Sequence, residues 1–358
     1  MNPATLDQPA TAVTHSDSPT RRSRFPAVRP PGYFSPNADP ADLKAFYEAN
    51  GYLVMEDAYS PAEVAHLIDE TTQICRGQRG EIKGASAAPV PAHIPENDVL
   101  KQFLCIHFPH KFSAPIKATL FNPATLRVLT SVVGPNVKCM QSMLFIKSSG
   151  KPGQAWHQDE DYIPTRDRSL VGGWIALDRA TVENGGLWVI PGSHKHGVLW
   201  DQAWHGDRRF DCAEESRGFP YTDGDAVPVE VEAGCVVFFN GYLLHRSLPN
   251  RAPEGRYRRS LVNHFMSCES FLPWNKPDES TPMAKTDYRD VVIVAGRDPF
   301  AHKGYADIAR PFLRTDGRSG CVSWSVANQK HLYPDEVAPG EALVQPLAAK
   351  EDGPPGPS

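Results

Sequence analysis

Between residues 137 and 266, short segments of alternating polar and apolar residues follow one another, separated by Gly, Pro, Asn or Asp. This alternation is typical of strands that bury one face, and the separating residues are typical of turns. Because no helical pattern lies between these segments, they predict an antiparallel sandwich or barrel rather than a doubly wound parallel sheet. The candidate strands are residues 137–147, 172–178, 187–190, 226–231, 235–239 and 258–266.

Three helices are predicted on the amino-terminal side of the strand-rich region. The first covers residues 39–50, where Asp39 can cap the helix and Gly51 can end it. The second begins at Ser60, and the third covers residues 123–133. The predicted fold class is therefore mainly β with flanking helices.

Composition divides the chain into four predicted regions. Residues 1–36 and 339–358 are rich in Pro and small polar residues and have no apolar periodicity, which predicts disordered tails. Residues 37–268 form one catalytic domain in this interpretation. Residues 269–338 are irregular and rich in Pro and charge, and we expect them to form an appendage packed on the core.

Charge, hydropathy and cysteine content exclude several classes of protein. The chain of 358 residues has 37 basic and 42 acidic side chains, so it lacks the excess of cations by which proteins bind nucleic acid. No apolar segment approaches the roughly 20 residues needed to cross a membrane. Seven cysteines without C-x-x-C spacing indicate free thiols in a reducing compartment. We therefore predict a cytoplasmic protein with no membrane or nucleic-acid partner.

The segment around residues 156–160 (WHQDE) contains the first candidate metal ligands. His157 and Asp159 are two residues apart, so on an extended backbone their side chains leave the same face. His245, at the end of an apolar strand, is the best candidate for a third ligand. Two histidines and one carboxylate are the facial triad of non-haem Fe(II) oxygenases. A structural zinc site would need a fourth ligand, usually Cys, and none is close in sequence to the pair.

Four arginines crowd the segment of residues 250–261 that follows His245, at positions 251, 256, 258 and 259. An inward-facing arginine on a strand after the third ligand would suit a dicarboxylate cosubstrate, because a guanidinium binds a carboxylate through two hydrogen bonds. Ser247 could donate a hydroxyl to the same carboxylate, and Trp174 could form a wall of the pocket. A basic strand end is otherwise a solvated surface, so only one of the arginines is expected to point inward.

Several of these segments together resemble the phytanoyl-CoA dioxygenase family. The resemblance extends over roughly residues 39–265, and the set of motifs is far more specific than any one of them. The matching segments are residues 46–54 (FYEANGYLV), 157–159 (HQD), 173–178 (GWIALD), 183–194 (ENGGLWVIPGSH), 245–250 (HRSLPN) and 258–261 (RRSL).

This resemblance implies a double-stranded β-helix, which is a jelly-roll or cupin-like barrel, that binds Fe(II) and 2-oxoglutarate. His157, Asp159 and His245 correspond to the iron ligands of the family. Arg258 corresponds to the cosubstrate arginine, but the preceding loop is two residues longer than in familiar members, so Arg256 is an alternative. The remaining residues implied at the cosubstrate are Ser247, Trp174, Gln141 and Lys147.

The resemblance also implies a reaction in which O2 and 2-oxoglutarate are cosubstrates and succinate and CO2 are released. Related halogenases replace the carboxylate ligand by a small residue, so the presence of Asp159 favours hydroxylation. Gln158, Tyr162 and Phe265 are predicted to line the pocket of a small polar or amphipathic substrate. Neither this substrate nor the oligomeric state has a signature in the sequence.

Two alternatives come from other functional classes. A cupin-type metal isomerase would share the barrel without needing a dicarboxylate arginine. A non-catalytic binding protein would retain the barrel alone. His194 and His196 are not expected to be ligands, because a fully coordinated iron could not bind its substrates.

Overall fold

The computed structural model of the protein describes residues 31–85, 88–211, 214–270, 291–305 and 309–315. In these ranges, no helix is both long enough and apolar enough to cross a membrane. The α-helices are α1 (Pro40–Asn50), α2 (Pro61–Cys75), α3 (Glu96–Leu100), α4 (Ala114–Ala118), α5 (Pro123–Val132) and α6 (Asp159–Tyr162). The 3-10 helices are Pro109–Lys111, Thr119–Phe121, Ser193–His196, Asp223–Asp225 and Ala301–Lys303.

Side-chain caps place the first two helices where the sequence predicted them. Asp39 accepts a hydrogen bond from the backbone N–H of Ala41, and Gly51 ends α1 in the left-handed conformation at φ 79°. Ser60 and Glu63 form a reciprocal capping box at the start of α2. These contacts satisfy N–H groups that have no partner within the helix. Both predicted starts are confirmed.

Fifteen strands are found among the described residues. The first eight are β1 (Tyr33–Phe34), β2 (Tyr52–Met55), β3 (Phe103–His107), β4 (Val137–Lys147), β5 (Gln154–His157), β6 (Val171–Ala176), β7 (Leu187–Val189) and β8 (Gln202–Trp204). The others are β9 (Glu214–Ser216), β10 (Val227–Val229), β11 (Val236–Asn240), β12 (His245–Ser247), β13 (Arg258–Ser267), β14 (Val292–Ala295) and β15 (Phe312–Thr315). All six predicted strands are present, and β4 has the predicted bounds.

Two facing sheets form the body of the protein. The major sheet has the order β1-β2-β11-β6-β13-β4-β3-β15, with β14 also paired to β4. The minor sheet has the order β10-β7-β12-β5, and β8 and β9 form a separate hairpin. Apart from the parallel pair of β1 and β2, the paired strands are antiparallel. This is the predicted jelly-roll arrangement, and the fold class is confirmed.

Alternation along the major sheet separates two cores. Val237 and Trp174 are cross-strand partners and pack with Val189 of β7, so they lie between the two sheets. The next residue along β11, Phe238, belongs to a larger cluster that includes residues of α1, α2 and α5. Helices therefore cover one face of the major sheet, and the minor sheet covers the other.

The strands nearest the ends extend the major sheet beyond the predicted domain. Tyr33 and Phe34 pair with β2, so the boundary predicted after residue 36 comes too late. In the region predicted as an appendage, β14 pairs with β4 and β15 pairs with β3. Residues 1–30, 271–290 and 316–358, which include most of the predicted tails, lie outside the described residues.

Candidate metal and cosubstrate site

The two candidate histidine ligands are directly opposite each other in the minor sheet. His245 begins β12 and His157 ends β5, and the two residues are register partners in this antiparallel pair. Their ring centroids are 4.1 Å apart. Residues that are 88 positions apart in the chain are therefore brought into contact by strand pairing alone.

Asp159 joins the histidine pair from the start of α6. The backbone of the intervening Gln158 is extended, at φ −127° and ψ 124°, so His157 and Asp159 leave the chain on the same side. Oδ1 of Asp159 lies 3.7 Å from Nε2 of His157 and 3.6 Å from Nε2 of His245. Among the described residues, His157, Asp159 and His245 form the group of side chains that could hold a metal ion. One potential ligand atom of each residue lies within 4.8 Å of those of the other two.

Backbone carbonyls orient both imidazoles toward the carboxylate. Nδ1 of His157 lies 2.7 Å from the carbonyl oxygen of Ala155, and Nδ1 of His245 lies 3.0 Å from that of Leu243. This contact places the hydrogen on Nδ1 and leaves the lone pair of Nε2 for a metal. Burial, together with the neighbouring His245, lowers the pKa of His157 to about 4. Two imidazoles and a carboxylate are the donor set that suits non-haem Fe(II).

A third histidine, which sequence reasoning missed, contacts the carboxylate from the major sheet. Nε2 of His264, in β13, lies 3.0 Å from Oδ2 of Asp159. Burial would raise the pKa of Asp159, but His245, His264 and His157 together hold it well below its usual range. Strand parity could have identified His264, because it lies six residues after Arg258 and therefore on the same face of the strand.

Two buried cations lie on neighbouring strands of the major sheet. Nζ of Lys147, in β4, donates hydrogen bonds to Oγ of Ser247 at 2.9 Å and to the carbonyl of Leu248 at 2.8 Å. Arg258, opposite Lys147 in β13, donates from Nε to the carbonyl of Gly185 at 3.2 Å and from Nη1 to Oγ of Ser260 at 2.7 Å. Four of the residues predicted at the cosubstrate, including Trp174 at 5.6 Å from the guanidinium of Arg258, are thus brought together.

The charges of these two cations are destabilised by their surroundings. Burial, together with the nearby Arg258, lowers the pKa of Lys147 well below its ordinary value. Burial lowers the pKa of Arg258 to about 10. Their hydrogen-bond acceptors among the described residues are neutral carbonyls and hydroxyls, and a bound anion would therefore stabilise both cations.

Among the four arginines of residues 250–261, only Arg258 is buried, with 2% of its surface exposed. Arg256 is exposed, and its N–H bonds the carbonyl of Pro253 in the turn before β13. Arg259 points to the other side of the strand and forms an ion pair with Asp178 at 2.7 Å.

The residues predicted around the triad have different environments. Tyr162 packs edge-on against His157, with ring centroids 6.2 Å apart. Gln141 is the register partner of His264 in β4 and is buried. Tyr162 therefore lies beside a candidate ligand, and Gln141 lies beside the histidine that contacts Asp159. His194 and His196 instead bond the carbonyl of Glu48 and the hydroxyl of Tyr221.

Two predicted pocket residues are directed away from the triad. The Gln158 amide donates to the carbonyls of Val198 and Tyr242 and accepts from the N–H of Trp200, so it joins loops on the outer side of the minor sheet. Phe265 is fully buried in the cluster between the major sheet and the helices. The inward position at this point of β13 is occupied by His264, because side chains alternate along a strand.

Relatives with curated descriptions share the sequence over most of this fold. A phytanoyl-CoA dioxygenase 1 from Oryza sativa subsp. japonica is 30% identical over 262 residues, which covers 64% of this chain and 90% of that protein. The human peroxisomal phytanoyl-CoA dioxygenase is 27% identical over 238 residues, covering 64% of this chain and 68% of that protein.

Solved structures match at the level of the fold. A non-heme monooxygenase, ThoJ in its apo form, aligns with a TM-score of 0.53 and 20% identity over 72% of this chain and 84% of that chain. The epimerase SnoN, in complex with Fe3+, alpha ketoglutarate and nogalamycin RO, aligns with a TM-score of 0.51 and 18% identity over 73% of this chain and 98% of that one. The family model described as phytanoyl-CoA dioxygenase matches residues 47–260, which include all three clustered metal-ligand candidates and Arg258. On this match, the chain belongs to the phytanoyl-CoA dioxygenase family.

Proposed function

We propose that the protein is an Fe(II)- and 2-oxoglutarate-dependent dioxygenase that hydroxylates a C–H bond of a small molecule and releases succinate and CO2. The observation that carries the proposal is the pairing of a His157–Asp159–His245 cluster with two buried cations on the facing sheet. The cluster offers three donors, which leaves coordination positions open for cosubstrates.

The iron would be held by Nε2 of His157, Nε2 of His245 and one oxygen of Asp159. When bound, Fe(II) supplies the activation of O2 that a protein side chain cannot perform. The chain's own contribution is to orient both imidazoles, with Nε2 toward the metal position, through the carbonyls of Ala155 and Leu243. Retention of Asp159 supports hydroxylation, since it keeps a position that halogenases leave open for chloride.

The distal carboxylate of 2-oxoglutarate would bind Arg258 and Lys147. Nη2 of Arg258 makes no hydrogen bond with the described residues, which leaves a donor for an anion. Oγ of Ser247 accepts hydrogen bonds from Lys147 and from the N–H of Gln154, so its own hydrogen remains for an acceptor. Ser247 is two residues from His245 along β12, a spacing of about 7 Å that suits a five-carbon diacid reaching back to the metal.

The substrate would enter beside Tyr162 and Gln141. Tyr162 packs against an apolar cluster of Met140, Ile163, Leu170 and Met266. This combination supports an amphipathic small molecule as substrate. The relatives' names refer to phytanoyl-CoA and, for the human protein, to the peroxisome, whereas for this chain a cytoplasmic location stays a prediction.

The test is 2-oxoglutarate-dependent formation of succinate by the purified protein with Fe(II), measured over a panel of metabolites. We expect one class of metabolite to stimulate succinate formation and to gain one oxygen atom by mass. Asp159→Ala should remove both signals. Metal-dependent turnover without succinate would indicate an isomerase, and metal binding without turnover of any metabolite or of 2-oxoglutarate would indicate a binding protein.

A further inference from the structure

The contact between His264 and Asp159 connects the two sheets across the candidate metal site. His264 belongs to β13 of the major sheet, whereas Asp159 follows β5 of the minor sheet. Nε2 of His264 lies 3.0 Å from Oδ2 of Asp159, and the imidazole is only 5% exposed. The two oxygens of the carboxylate therefore have different neighbours: Oδ1 faces His157 and His245, and Oδ2 faces His264.

The hydrogen on His264 can be assigned from its partners. Nδ1 of His264 is buried and makes no hydrogen bond with any described residue. An ionised carboxylate only accepts hydrogen bonds, so the contact with Asp159 requires the hydrogen to be on Nε2. His264 is thus a donor to Asp159, and it has the opposite tautomer to His157 and His245, whose hydrogens are on Nδ1.

This donor distinguishes the two carboxylate oxygens chemically. A carboxylate can coordinate a metal through one oxygen or through both, and the second oxygen would occupy a position that a cosubstrate needs. A hydrogen bond to Oδ2 from a rigid strand engages that oxygen and holds the carboxylate plane in place.

We propose that His264 is a positioning residue that makes Asp159 a ligand through Oδ1 alone. The inference rests on the proposed function, since it concerns how the same site keeps its open positions. His264 does not touch the metal in this proposal. It acts through Asp159, and its backbone is fixed by the pairing of β13 with β4 on one side and β6 on the other.

The experiment measures anaerobic Fe(II) binding to the full chain, followed by the visible absorbance that appears when 2-oxoglutarate is added. His264→Leu removes the donor, and we expect Fe(II) affinity to fall about 10- to 100-fold, as is typical when a partner of a metal ligand is lost. The absorbance band should shift or weaken. His264→Gln, whose amide N–H can reach Asp159, should recover affinity to within a few-fold of wild type and restore the band.

Two further variants separate positioning from a general disturbance of the strand. Phe265→Leu changes the neighbouring side chain on the helix side of β13 and should leave Fe(II) affinity and the band unchanged, whatever its effect on melting temperature. His264→Asn has an amide too short to reach Asp159, and it should behave like His264→Leu. If His264→Leu does not fold, the Fe(II) affinity and absorbance band of His264→Asn show whether the hydrogen bond to Asp159 matters.

The possible failures have different meanings. If wild type gives no 2-oxoglutarate-dependent band with Fe(II), the proposed function is wrong, and the role of His264 is wrong with it. If wild type gives the band and folded His264→Leu or His264→Asn gives the same affinity and spectrum, only the positioning role is overturned. Failure of folded His264→Gln to recover any affinity would also overturn it.

Discussion

The two sheets contribute opposite chemistry to one site. The minor sheet supplies imidazoles that are already oriented by backbone carbonyls two residues earlier in the chain. The major sheet supplies Lys147 and Arg258, which are buried although their surroundings disfavour their charges. The metal-binding side, in the minor sheet, is therefore organised by local backbone contacts. The cosubstrate side, in the major sheet, depends instead on charge that long-range packing encloses.

This difference has an energetic consequence for binding. A buried cation costs several kcal/mol unless an anion compensates it. Lys147 and Arg258 bond neutral groups, and Asp211, which lines the same small cavity, is paired with Arg314. A dicarboxylate would therefore stabilise the major-sheet end by compensating charge, while a metal would use donors in the minor sheet that need little reorganisation.

The largest expected effect is on the minor-sheet side. His157→Ala or His245→Ala removes one of three donors, and we expect succinate formation to fall below detection because no other described side chain can replace the ligand. The melting temperature of the metal-free protein should change by only a few degrees. His194→Ala, which removes a histidine that bonds a backbone carbonyl outside the cluster, should keep most of the activity. Retained turnover in the first two variants would refute the ligand assignment.

A second test addresses the choice between the two arginines on the major-sheet side. Arg258→Ala removes charged hydrogen bonds worth about 2–3 kcal/mol, so the KM for 2-oxoglutarate should rise about 30- to 150-fold. Arg256→Ala should leave this KM unchanged, because Arg256 is exposed in the preceding turn. Steady-state kinetics with varied 2-oxoglutarate compares the two. The reverse pattern would make Arg256 the anchor.

Lys147→Met would show whether the major sheet holds uncompensated charge. The variant removes one cation but leaves Arg258, so we expect the KM for 2-oxoglutarate to rise by about tenfold. The cosubstrate-free protein should become more stable by about 1 kcal/mol, because a buried charge is replaced by an apolar chain. Steady-state kinetics with varied 2-oxoglutarate measures the KM, and thermal unfolding of the cosubstrate-free protein measures the stability. A loss of stability in the free protein would show that the charge of Lys147 is already compensated.

The smallest expected effect on activity comes from changing Gln158, whose side chain lies on the outer face of the minor sheet, away from the metal-ligand candidates. Gln158→Ala leaves the carbonyls of Val198 and Tyr242 and the N–H of Trp200 without their partner. We expect the free energy of unfolding to fall by about 2 kcal/mol, while the KM values for metal and cosubstrates change less than threefold. Denaturant unfolding and kinetics test this together. A large rise in a substrate's KM at unchanged stability would return Gln158 to the pocket.

Local chemistry made much of the fold predictable. The helix starts at Asp39 and Ser60 follow from capping, and the long strand β4 follows from its alternation. The strands β8, β9 and β12 were not predicted as strands, because their segments QAW, EES and HRS have no alternating apolar pattern. These strands exist because the neighbouring chain supplies hydrogen-bond partners.

The substrate-pocket prediction shows where sequence reasoning went wrong. Phe265 was expected at the pocket, but parity counted from the inward Arg258 favours His264. This count holds because the bulge between β13 and β4 adds an extra residue to β4, at Met140, and leaves the alternation of β13 intact. Arg256 and Arg258 have the same parity, so parity could not choose between them.

The sequence by itself determined the strand-rich fold class, the family and the H-x-D pair, because alternation, capping and two-residue spacing are local properties of the chain. Only the tertiary structure decided which arginine is buried, which side chain bonds Asp159, and that Gln158 is directed outward. Those outcomes depend on where β13 begins, how β5 pairs with β12, and which charges the two sheets enclose. They are set by contacts between residues 40 to 105 positions apart, and no local pattern specifies such contacts.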